Sequence, residues 1–507
     1  MTIVGTSGRG PSGVAGGASP SPPPIRSAPS SAAAAASSTV AEASATSPAA
    51  AREGPARKRA GVGNSSSTFE ATEPRRSAAG GSSAGMLPVS STGPAGRLLD
   101  VRLGRAGAAR FGGPRFEAAL DAATRSVVRP HNAARLLFDG VESFAERDRL
   151  IAAAKSSIHL QTFIFTDDDT GWKLARQLIE KARAGVAVRV IIDGLGSNRS
   201  DAKLFDAMRA AGVEVRARET GLDPTELNHR WHEKHLVVDG RVAITGGMNI
   251  ADEYALGGSG RQVLGRGEAA EPWRDVDVRI EGAAVHDEQR AFLRNWALLG
   301  PAAPSSSSSA AALFPRAPLA GAAEVRVVQQ HPAGDPPEDH LLQLYVRAIG
   351  AATKSITIEH AYFVPPPALR DALVDAARRG VRVRVMTNSK ESSDMGFVVD
   401  AARYHYDALL AAGVEIHEKR GGTLHSKTAT FDGQYSIVGS YNLNGRSNGL
   451  DTECAVAIRD DATAAGLVRR FEDGVAETTA VDAAFLARDT FVDNLKQWML
   501  QSVSWTI

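Results

Sequence analysis

Residues 230–249 read RWHEKHLVVDGRVAITGGMN, and residues 424–442 read LHSKTATFDGQYSIVGSYN. Both stretches have the form H-x-K-x4-D-x6-G-[GS]-x-N, which pairs His232 with His425. A single H-x-K pair is common on a surface strand and indicates little. Two complete copies in one chain are very unlikely to be chance, and they indicate a duplicated unit.

The segments before each motif are also similar to each other. ARAGVAVRVIID at 182–193 matches AARRGVRVRVMT at 376–387, in each case a helix end, a glycine stop and a buried strand. AAGVEV at 210–215 then matches AAGVEI at 411–416. Strands that alternate with helices predict an α/β sheet. We therefore expect an α/β fold of two similar repeats, packed pseudo-two-fold around one shared active site.

Composition divides the chain into four parts. Residues 1–110 are dominated by Ala, Ser, Gly and Pro and predict a disordered tail, because they offer little apolar surface to bury. Residues 111–300 form the first predicted repeat. Residues 301–323 are a low-complexity linker, and residues 324–507 form the second repeat with a C-terminal amphipathic helix.

The spacing inside each motif has a chemical consequence. On an extended strand, residues two apart point to the same face, so His232 and Lys234 can reach one site, as can His425 and Lys427. The residue between them points away. Two imidazoles and two ammonium groups suit a phosphodiester, since one histidine can attack phosphorus while the other protonates the leaving group. We expect no metal and no cofactor.

The remaining motif residues receive supporting roles. We expect Asn249, Asn442 and Ser440 to bind the phosphate oxygens. Asp239 and Asp432 complete the catalytic motifs, and we expect them to hold a turn or to pair with a nearby base rather than transfer protons. Turns through Asp-Gly would lead in each half into a second apolar strand.

A histidine nucleophile requires a carboxylate that holds the proton on its far nitrogen. In the second half Glu453 follows Asn442 by eleven residues, in a segment that could run back beside the motif. In the first half the corresponding candidate is Asp275, which we rank above Asp277. We expect Asp275 and Glu453 to orient the histidines.

With these motifs the chain resembles the phospholipase D superfamily and, within it, the bacterial cardiolipin synthases. The resemblance covers Phe111 to the C-terminus, and it extends to GGMNIADEY (246–254), PWRDVDVRIEG (272–282), YFVPPPALRDAL (362–373), TNSKESSD (387–394) and NLNGRSNGLDTE (442–453).

The resemblance implies transfer of a phosphatidyl group, through a phosphohistidine, to the headgroup hydroxyl of phosphatidylglycerol. It implies His232 as the nucleophile and His425 as the general acid. Phosphatidylglycerol would be the substrate at a membrane surface, with phosphatidylethanolamine as a second candidate. One motif position departs from the other half, because Gly247 stands where the second copy has Ser440.

Bulk properties limit the setting. A formal net charge of +1 gives no overall bias toward nucleic acid, and a single cysteine excludes an internal disulfide. We find no signal peptide and no run of apolar residues long enough to span a membrane. We expect a monomer located in the cytoplasm, peripheral at the inner face of the cell membrane.

Three other functions remain open from the residues. A phospholipase D hydrolase would use the same intermediate and release phosphatidic acid, so acceptor access and water exclusion would separate it from a transferase. A nuclease of the same superfamily would need a basic track, and apart from Arg189, Arg382 and Arg384 the sequence has no concentrated basic stripe. A non-catalytic scaffold would have little reason to keep both motifs complete.

Overall fold

A computed structural model of the chain describes residues 110–219, 228–255, 273–300 and 310–502. The predicted disordered tail, apart from Arg110, lies outside the described residues, as do residues 301–309 of the predicted linker. The residue bounds of the two repeats and of the linker stay a prediction.

The described residues contain fifteen strands. They are β1 Arg129–Phe138, β2 Ser157–Thr162, β3 Ala187–Asp193, β4 Glu214–Arg218, β5 His235–Val238, β6 Val242–Gly246, β7 Val276–Glu281, β8 Ala323–Gln330, β9 Ser355–His360, β10 Arg382–Asn388, β11 Glu415–Lys419, β12 Lys427–Phe431, β13 Tyr435–Gly439, β14 Glu453–Arg459 and β15 Thr478–Val481.

The same residues contain fifteen helices. They are α1 Pro114–Thr124, α2 Asp139–Ala153, α3 Asp169–Arg183, α4 Ala202–Ala210, α5 Asp252–Ala255, α6 Val285–Leu298, α7 Ala310–Leu313, α8 His340–Ala351, α9 Pro367–Arg378, α10 Gly396–Arg403, α11 Tyr406–Ala411, α12 Gly445–Gly449, α13 Asp461–Val475, α14 Ala483–Leu486 and α15 Phe491–Ser502.

All the described strands join one sheet whose order reads nearly the same from both ends. The order is β15-β11-β10-β9-β12-β13-β14-β8-β1-β7-β6-β5-β2-β3-β4. Outward from the antiparallel β1–β8 pair, each strand of the first half has a counterpart in the second, and β15 is added at one edge. The predicted α/β fold of two repeats related by a pseudo-two-fold axis is therefore confirmed.

Local sequence signals explain matching elements of the two halves. Asp168 caps the N-terminus of α3, where its carboxylate accepts the N–H of Gly171 at 2.9 Å. The glycines that follow α3 and α9 have positive φ, 88° at Gly185 and 86° at Gly380, so each helix stops there and the next strand begins. The predicted order of helix end, glycine stop and buried strand is thus observed in both halves.

The two motif hairpins use left-handed turn residues. Asp239 and Gly240 have φ of 54° and 61°, and Asp432 and Gly433 have φ of 53° and 67°. Positive φ at both central positions is typical of a type I′ turn, and each turn is closed by a backbone hydrogen bond, from Arg241 to Val238 and from Gln434 to Phe431, both at 3.0 Å. Strands β5 and β6 pair antiparallel across the first turn, and β12 and β13 pair across the second.

The core lies on both faces of the sheet. One apolar cluster belongs to the first half, one to the second, and a third lies at the centre, where Val278 and Val456 are buried. Phe116 and Leu120 of α1 pack into the second-half cluster, although the sequence assigns α1 to the first repeat. Helix α1 therefore ties the start of the described chain to the second half.

Within the described ranges, no helix has both the length and the apolar character needed to cross a membrane. The predicted C-terminal amphipathic helix is present as α15, which packs against α10.

Candidate active site

The two H-x-K segments lie at the ends of strands rather than inside them. Strand β5 begins at His235, after His232 and Lys234, and β12 begins at Lys427, after His425. We expected both pairs to lie within strands. The reason for the difference is that these segments leave their own hairpins and form single bridges to the opposite half, Trp231 to Thr452 and Arg274 to Leu424.

Backbone hydrogen bonds place each histidine against the other half. The N–H of His232 donates to the carbonyl of Thr452 at 2.9 Å, and the N–H of His425 donates to the carbonyl of Arg274 at 2.8 Å. Each of these acceptors directly precedes a predicted orienting carboxylate, Glu453 or Asp275.

The histidine–carboxylate pairs are consequently exchanged between the halves. Nδ1 of His232 lies 3.0 Å from Oε1 of Glu453, and Nδ1 of His425 lies 2.7 Å from Oδ2 of Asp275. We expected each carboxylate to serve the histidine of its own half, and that assignment is wrong. The lower-ranked Asp277 forms a separate buried ion pair with Arg147 at 2.7 Å.

Both imidazoles are held neutral. Burial, reinforced by the nearby lysine ammonium groups, places the pKa of His232 and of His425 well below the ordinary value. A neutral imidazole whose Nδ1 faces a carboxylate carries its proton on Nδ1 and leaves the Nε2 lone pair free. Each ring is therefore in the form that can attack an electrophile or accept a proton at Nε2.

The pKa values of the two carboxylates and of the two lysines are shifted in opposite directions. Burial raises the pKa of Asp275 to about 6 and that of Glu453 to about 7. Burial also lowers the pKa of Lys234 to about 7 and that of Lys427 to about 8. Several titratable groups perturbed together in one buried place are typical of a functional site.

The two motifs share this environment. Besides burial, Lys427 lowers the pKa of His232, and Lys234 and His232 lower the pKa of His425. The Lys427 ammonium lies 3.1 Å from Nε2 of His425. Charges from each half thus act on the histidine of the other, as a single site requires.

Asp239 and Asp432 occupy equivalent structural positions. Oδ1 of Asp239 accepts the N–H groups of Ser156 at 2.7 Å and Ser157 at 2.9 Å. Oδ1 of Asp432 accepts those of Lys354 at 2.7 Å and Ser355 at 3.0 Å. Each carboxylate therefore fastens its hairpin turn to the start of a neighbouring strand.

The three predicted phosphate ligands lie in different surroundings. Oδ1 of Asn249 accepts the N–H of Ile164 at 3.1 Å, and its amide donates to the hydroxyl of Tyr254 at 2.9 Å. Oδ1 of Asn442 is buried without a hydrogen-bond partner among the described residues. The hydroxyl of Ser440 donates to the orienting carboxylate of Glu453, and its role as a phosphate ligand stays a prediction.

The absence of a side chain at Gly247 leaves space for the carboxylate of Asp275. A Cβ at position 247 would lie 2.2 Å from Oδ1 of Asp275. The shorter carboxylate of the first half thus fills the space that the side chain of Ser440 occupies in the second. The departure from the motif at Gly247 makes room for Asp275.

The middle residue of each motif points away, as the alternation predicts. Glu233 accepts from Gln161 at 3.0 Å and from Gln329 at 2.9 Å, and Ser426 donates to Glu359 at 2.8 Å. These contacts differ from those of the two lysines, whose ammonium groups donate to the carbonyls of His232 and His425. They hold the H-x-K segments in register.

Aromatic side chains that the sequence did not single out surround the histidines. The ring of Phe163 lies 5.0 Å from that of His232. The rings of Tyr254, Trp273 and Tyr362 lie 5.1, 5.3 and 6.4 Å from that of His425. Three of these four lie in segments that carry the family resemblance, which was the available signal. They give the site apolar walls that exclude water.

One cluster among the described residues has the composition of a metal site. His235, Glu288 and Cys454 offer ligand atoms within 4.8 Å of one another. However, Nδ1 of His235 lies 2.6 Å from Glu288 and Nε2 lies 3.1 Å from Glu233. Although burial opposes it, these two carboxylates raise the pKa of His235 to about 10. The two carboxylates therefore favour the protonated imidazole of His235, which binds each of them through one ring nitrogen.

The three arginines that a nuclease might use are paired with carboxylates. Arg382 forms an ion pair with Glu415 at 2.7 Å, and Arg384 forms one with Glu472 at 2.5 Å. Arg189 lies 3.3 Å from Glu214. These arginines therefore provide no unneutralised basic track for a nucleic acid backbone.

Comparison with known proteins agrees with this geometry. Residues 148–256 and 345–474 match the family described as "Cardiolipin synthase, PLD-like domain". The chain is 31% identical over 358 residues to "Cardiolipin synthase 1" of Bacillus cereus, a match that covers 68% of this chain and 67% of that protein. It is 32% identical over 357 residues to "Major cardiolipin synthase ClsA" of Bacillus subtilis, covering 69% and 70%.

The fold also matches a solved structure. The phosphatidylserine synthase of Haemophilus influenzae superposes with a TM-score of 0.59 at 15% identity, covering 78% of this chain and all of the other. The chain therefore belongs to the cardiolipin synthase, PLD-like family, and it is a phospholipase D-type phosphodiester transferase of cardiolipin synthase type.

Proposed function

We propose that this protein transfers a phosphatidyl group from one phospholipid to the headgroup hydroxyl of phosphatidylglycerol, through a phosphohistidine on His232. The observation that carries the proposal is the exchanged arrangement at the site. Each imidazole presents Nε2 with its Nδ1 on a buried carboxylate, at 3.0 Å for His232 and 2.7 Å for His425. Two lysines, Lys234 and Lys427, lie close enough to lower the pKa of both imidazoles.

In the first half-reaction, Nε2 of His232 attacks phosphorus. A P–N bond forms, and the P–O bond to the leaving headgroup breaks. His425 gives its Nε2 proton to the departing alkoxide. The lysines stabilise the negative charge that builds on the non-bridging oxygens.

In the second half-reaction, the headgroup hydroxyl of phosphatidylglycerol attacks the phosphohistidine. His425, now neutral, accepts the proton of that hydroxyl, while the P–N bond breaks and His232 is regenerated. Apolar walls such as Tyr254 and Trp273 favour this acceptor over water, because they limit the water that reaches the intermediate.

Substrate binding favours protonation of the general acid, which takes its proton from solvent. In the free protein, burial and the charges of Lys427 and Lys234 keep His425 neutral. An anionic phosphodiester between the lysines would offset their charge and raise the pKa of His425. The acid is therefore charged when the substrate is bound.

The cellular setting follows from the substrate. A lipid phosphodiester is reached only at a bilayer, so we infer that the protein works peripherally at the inner face of the cell membrane. The proposal needs no metal, and activity should persist in the presence of a chelator. The expected monomer stays a prediction.

The test is mass spectrometry of lipids after incubation of the purified chain with phosphatidylglycerol, alone and together with phosphatidylethanolamine. The expected product contains two phosphatidyl groups joined through one glycerol. Release of glycerol or of ethanolamine identifies the donor. Phosphatidic acid as the main product would instead identify a hydrolase.

The matched variants are His232→Ala and His425→Ala. Both should abolish product while the unfolding transition of the protein is retained. If both variants kept full activity, the proposed mechanism would have to be abandoned.

A further inference from the structure

Helix α15 exposes a continuous apolar face. Exposed fractions are 82% for Phe491, 70% for Val492, 45% for Leu495, 56% for Trp498 and 58% for Met499. Positions i, i+1, i+4, i+7 and i+8 lie on one side of a helix. Contiguous apolar side chains of this size at a surface indicate an interaction site.

The side of α15 that faces the protein is mainly polar. Gln497 is buried and donates to Asp489 at 2.7 Å, and Leu500 is partly buried against the second-half core. A helix that serves only the packing of its own domain has the opposite arrangement, with its apolar side inward. Packing against the protein therefore does not account for the outward face.

The neighbouring segment extends this face. Helix α10 packs against α15, and the buried carboxylate of Asp400 forms ion pairs with Lys390 at 2.6 Å and with Lys496. Met395 and Phe397 are 39% and 41% exposed at the start of α10. The apolar surface is defined here as these two residues together with the five exposed residues of α15.

A short chain of contacts connects the apolar surface to the active site. The residue before Met395 is Asp394, whose carboxylate accepts the hydroxyl of Tyr362 at 2.7 Å. The ring of Tyr362 lies edge-on to that of His425, with centroids 6.4 Å apart. The apolar surface therefore begins at the rim of the aromatic wall around the general acid.

We propose that the apolar surface docks onto a phospholipid bilayer by inserting its side chains into the headgroup and upper acyl region. Phenylalanine and tryptophan are the residues that suit this boundary. The flanking lysines, Lys390 and Lys496, both form ion pairs with Asp400. We therefore expect apolar burial, rather than attraction between lysines and anionic lipid, to contribute most to membrane binding. The inference rests on the proposed function, since a lipid phosphodiester must enter the site from a bilayer.

The experiment measures partition of the full chain into sucrose-loaded vesicles of phosphatidylcholine and phosphatidylglycerol by co-sedimentation. The test variant is Phe491→Ser with Trp498→Ser. The matched control is Leu319→Ser with Leu298→Ser, whose side chains are 83% and 61% exposed outside the apolar surface. All four substitutions are at exposed positions, and the unfolding transition of each variant is measured alongside to verify that it is folded.

We expect the partition coefficient of the test variant to be lower than that of wild type by a factor of about ten or more. The reason is that two large apolar groups are no longer transferred out of water. The control should partition like wild type, and high salt should change the wild-type value little. Turnover of vesicle lipid should fall in parallel with partition. Turnover of monomeric short-chain phosphatidylglycerol should stay unchanged.

Two results would overturn the docking proposal. One is a test variant that partitions as well as wild type. The other is evidence that protein covers the apolar surface. It would be a wild-type dimer in solution, or a cross-link to the N-terminal tail, that is lost in the test variant. If wild type partitions as expected but turns over no lipid, the proposed function fails while the docking surface stands.

Discussion

Replacing the two orienting carboxylates separately distinguishes the exchanged pairing from pairing within each half. In the structure Asp275 serves His425, the proposed general acid, and Glu453 serves His232, the proposed nucleophile. We therefore expect Asp275→Asn to weaken proton donation to the leaving group. We expect Glu453→Gln to weaken attack on phosphorus.

The magnitude follows from the contact that is lost. The 2.7 Å bond between Asp275 and Nδ1 of His425 is buried and involves a charged partner. A hydrogen bond of this kind contributes about 1.5–3 kcal/mol. At about 1.4 kcal/mol for each factor of ten in rate, turnover of phosphatidylglycerol should fall about tenfold to a hundredfold.

The assay compares two leaving groups. Phosphatidyl-p-nitrophenol releases a stable phenolate that needs no proton, so its first-turnover burst should be near wild type in Asp275→Asn. The same burst should stay slow in Glu453→Gln, because attack on phosphorus is needed for either leaving group. The opposite result, with the burst restored only in Glu453→Gln, would refute the exchanged assignment of roles.

Three further outcomes follow from the site. Gly247→Ala should lower steady-state turnover to the level of Asp275→Asn. The reason is that the new Cβ would lie 2.2 Å from Oδ1 of Asp275. Asp432→Ala should lower the free energy of unfolding by about 2–3 kcal/mol in urea titration, with turnover largely kept below the transition, because it removes turn contacts only. Burial lowers the pKa of Lys234 to about 7. As pH rises above 7 the ammonium is lost, so kcat/KM should fall. Lys234→Arg should shift that fall to higher pH, because a guanidinium keeps its charge.

The sequence identified the reacting residues because their pattern is local and occurs twice. His232, Lys234 and Asp239 recur at identical spacing as the motif of the second half. Period-two alternation and Asp-Gly turns are properties of a few neighbouring residues, so they can be read along the chain. The same holds for the glycine stops at Gly185 and Gly380, where the backbone requires positive φ.

The aromatic walls illustrate what local patterns do not contain. Phe163 and Tyr362 occupy ordinary apolar positions in their segments, and nothing in their spacing relates them to a histidine. They reach the imidazoles because the sheet order brings distant strand ends to one place.

Sequence by itself thus determined the α/β repeats, the paired histidines and lysines, and the identity of both carboxylates as candidates. Only the tertiary structure decided that Glu453 serves His232 and Asp275 serves His425. The physical reason is that each H-x-K segment leaves its own hairpin and bonds through its backbone to the opposite half. Contacts between residues 221 and 150 positions apart depend on how the two halves pack, which no local spacing records.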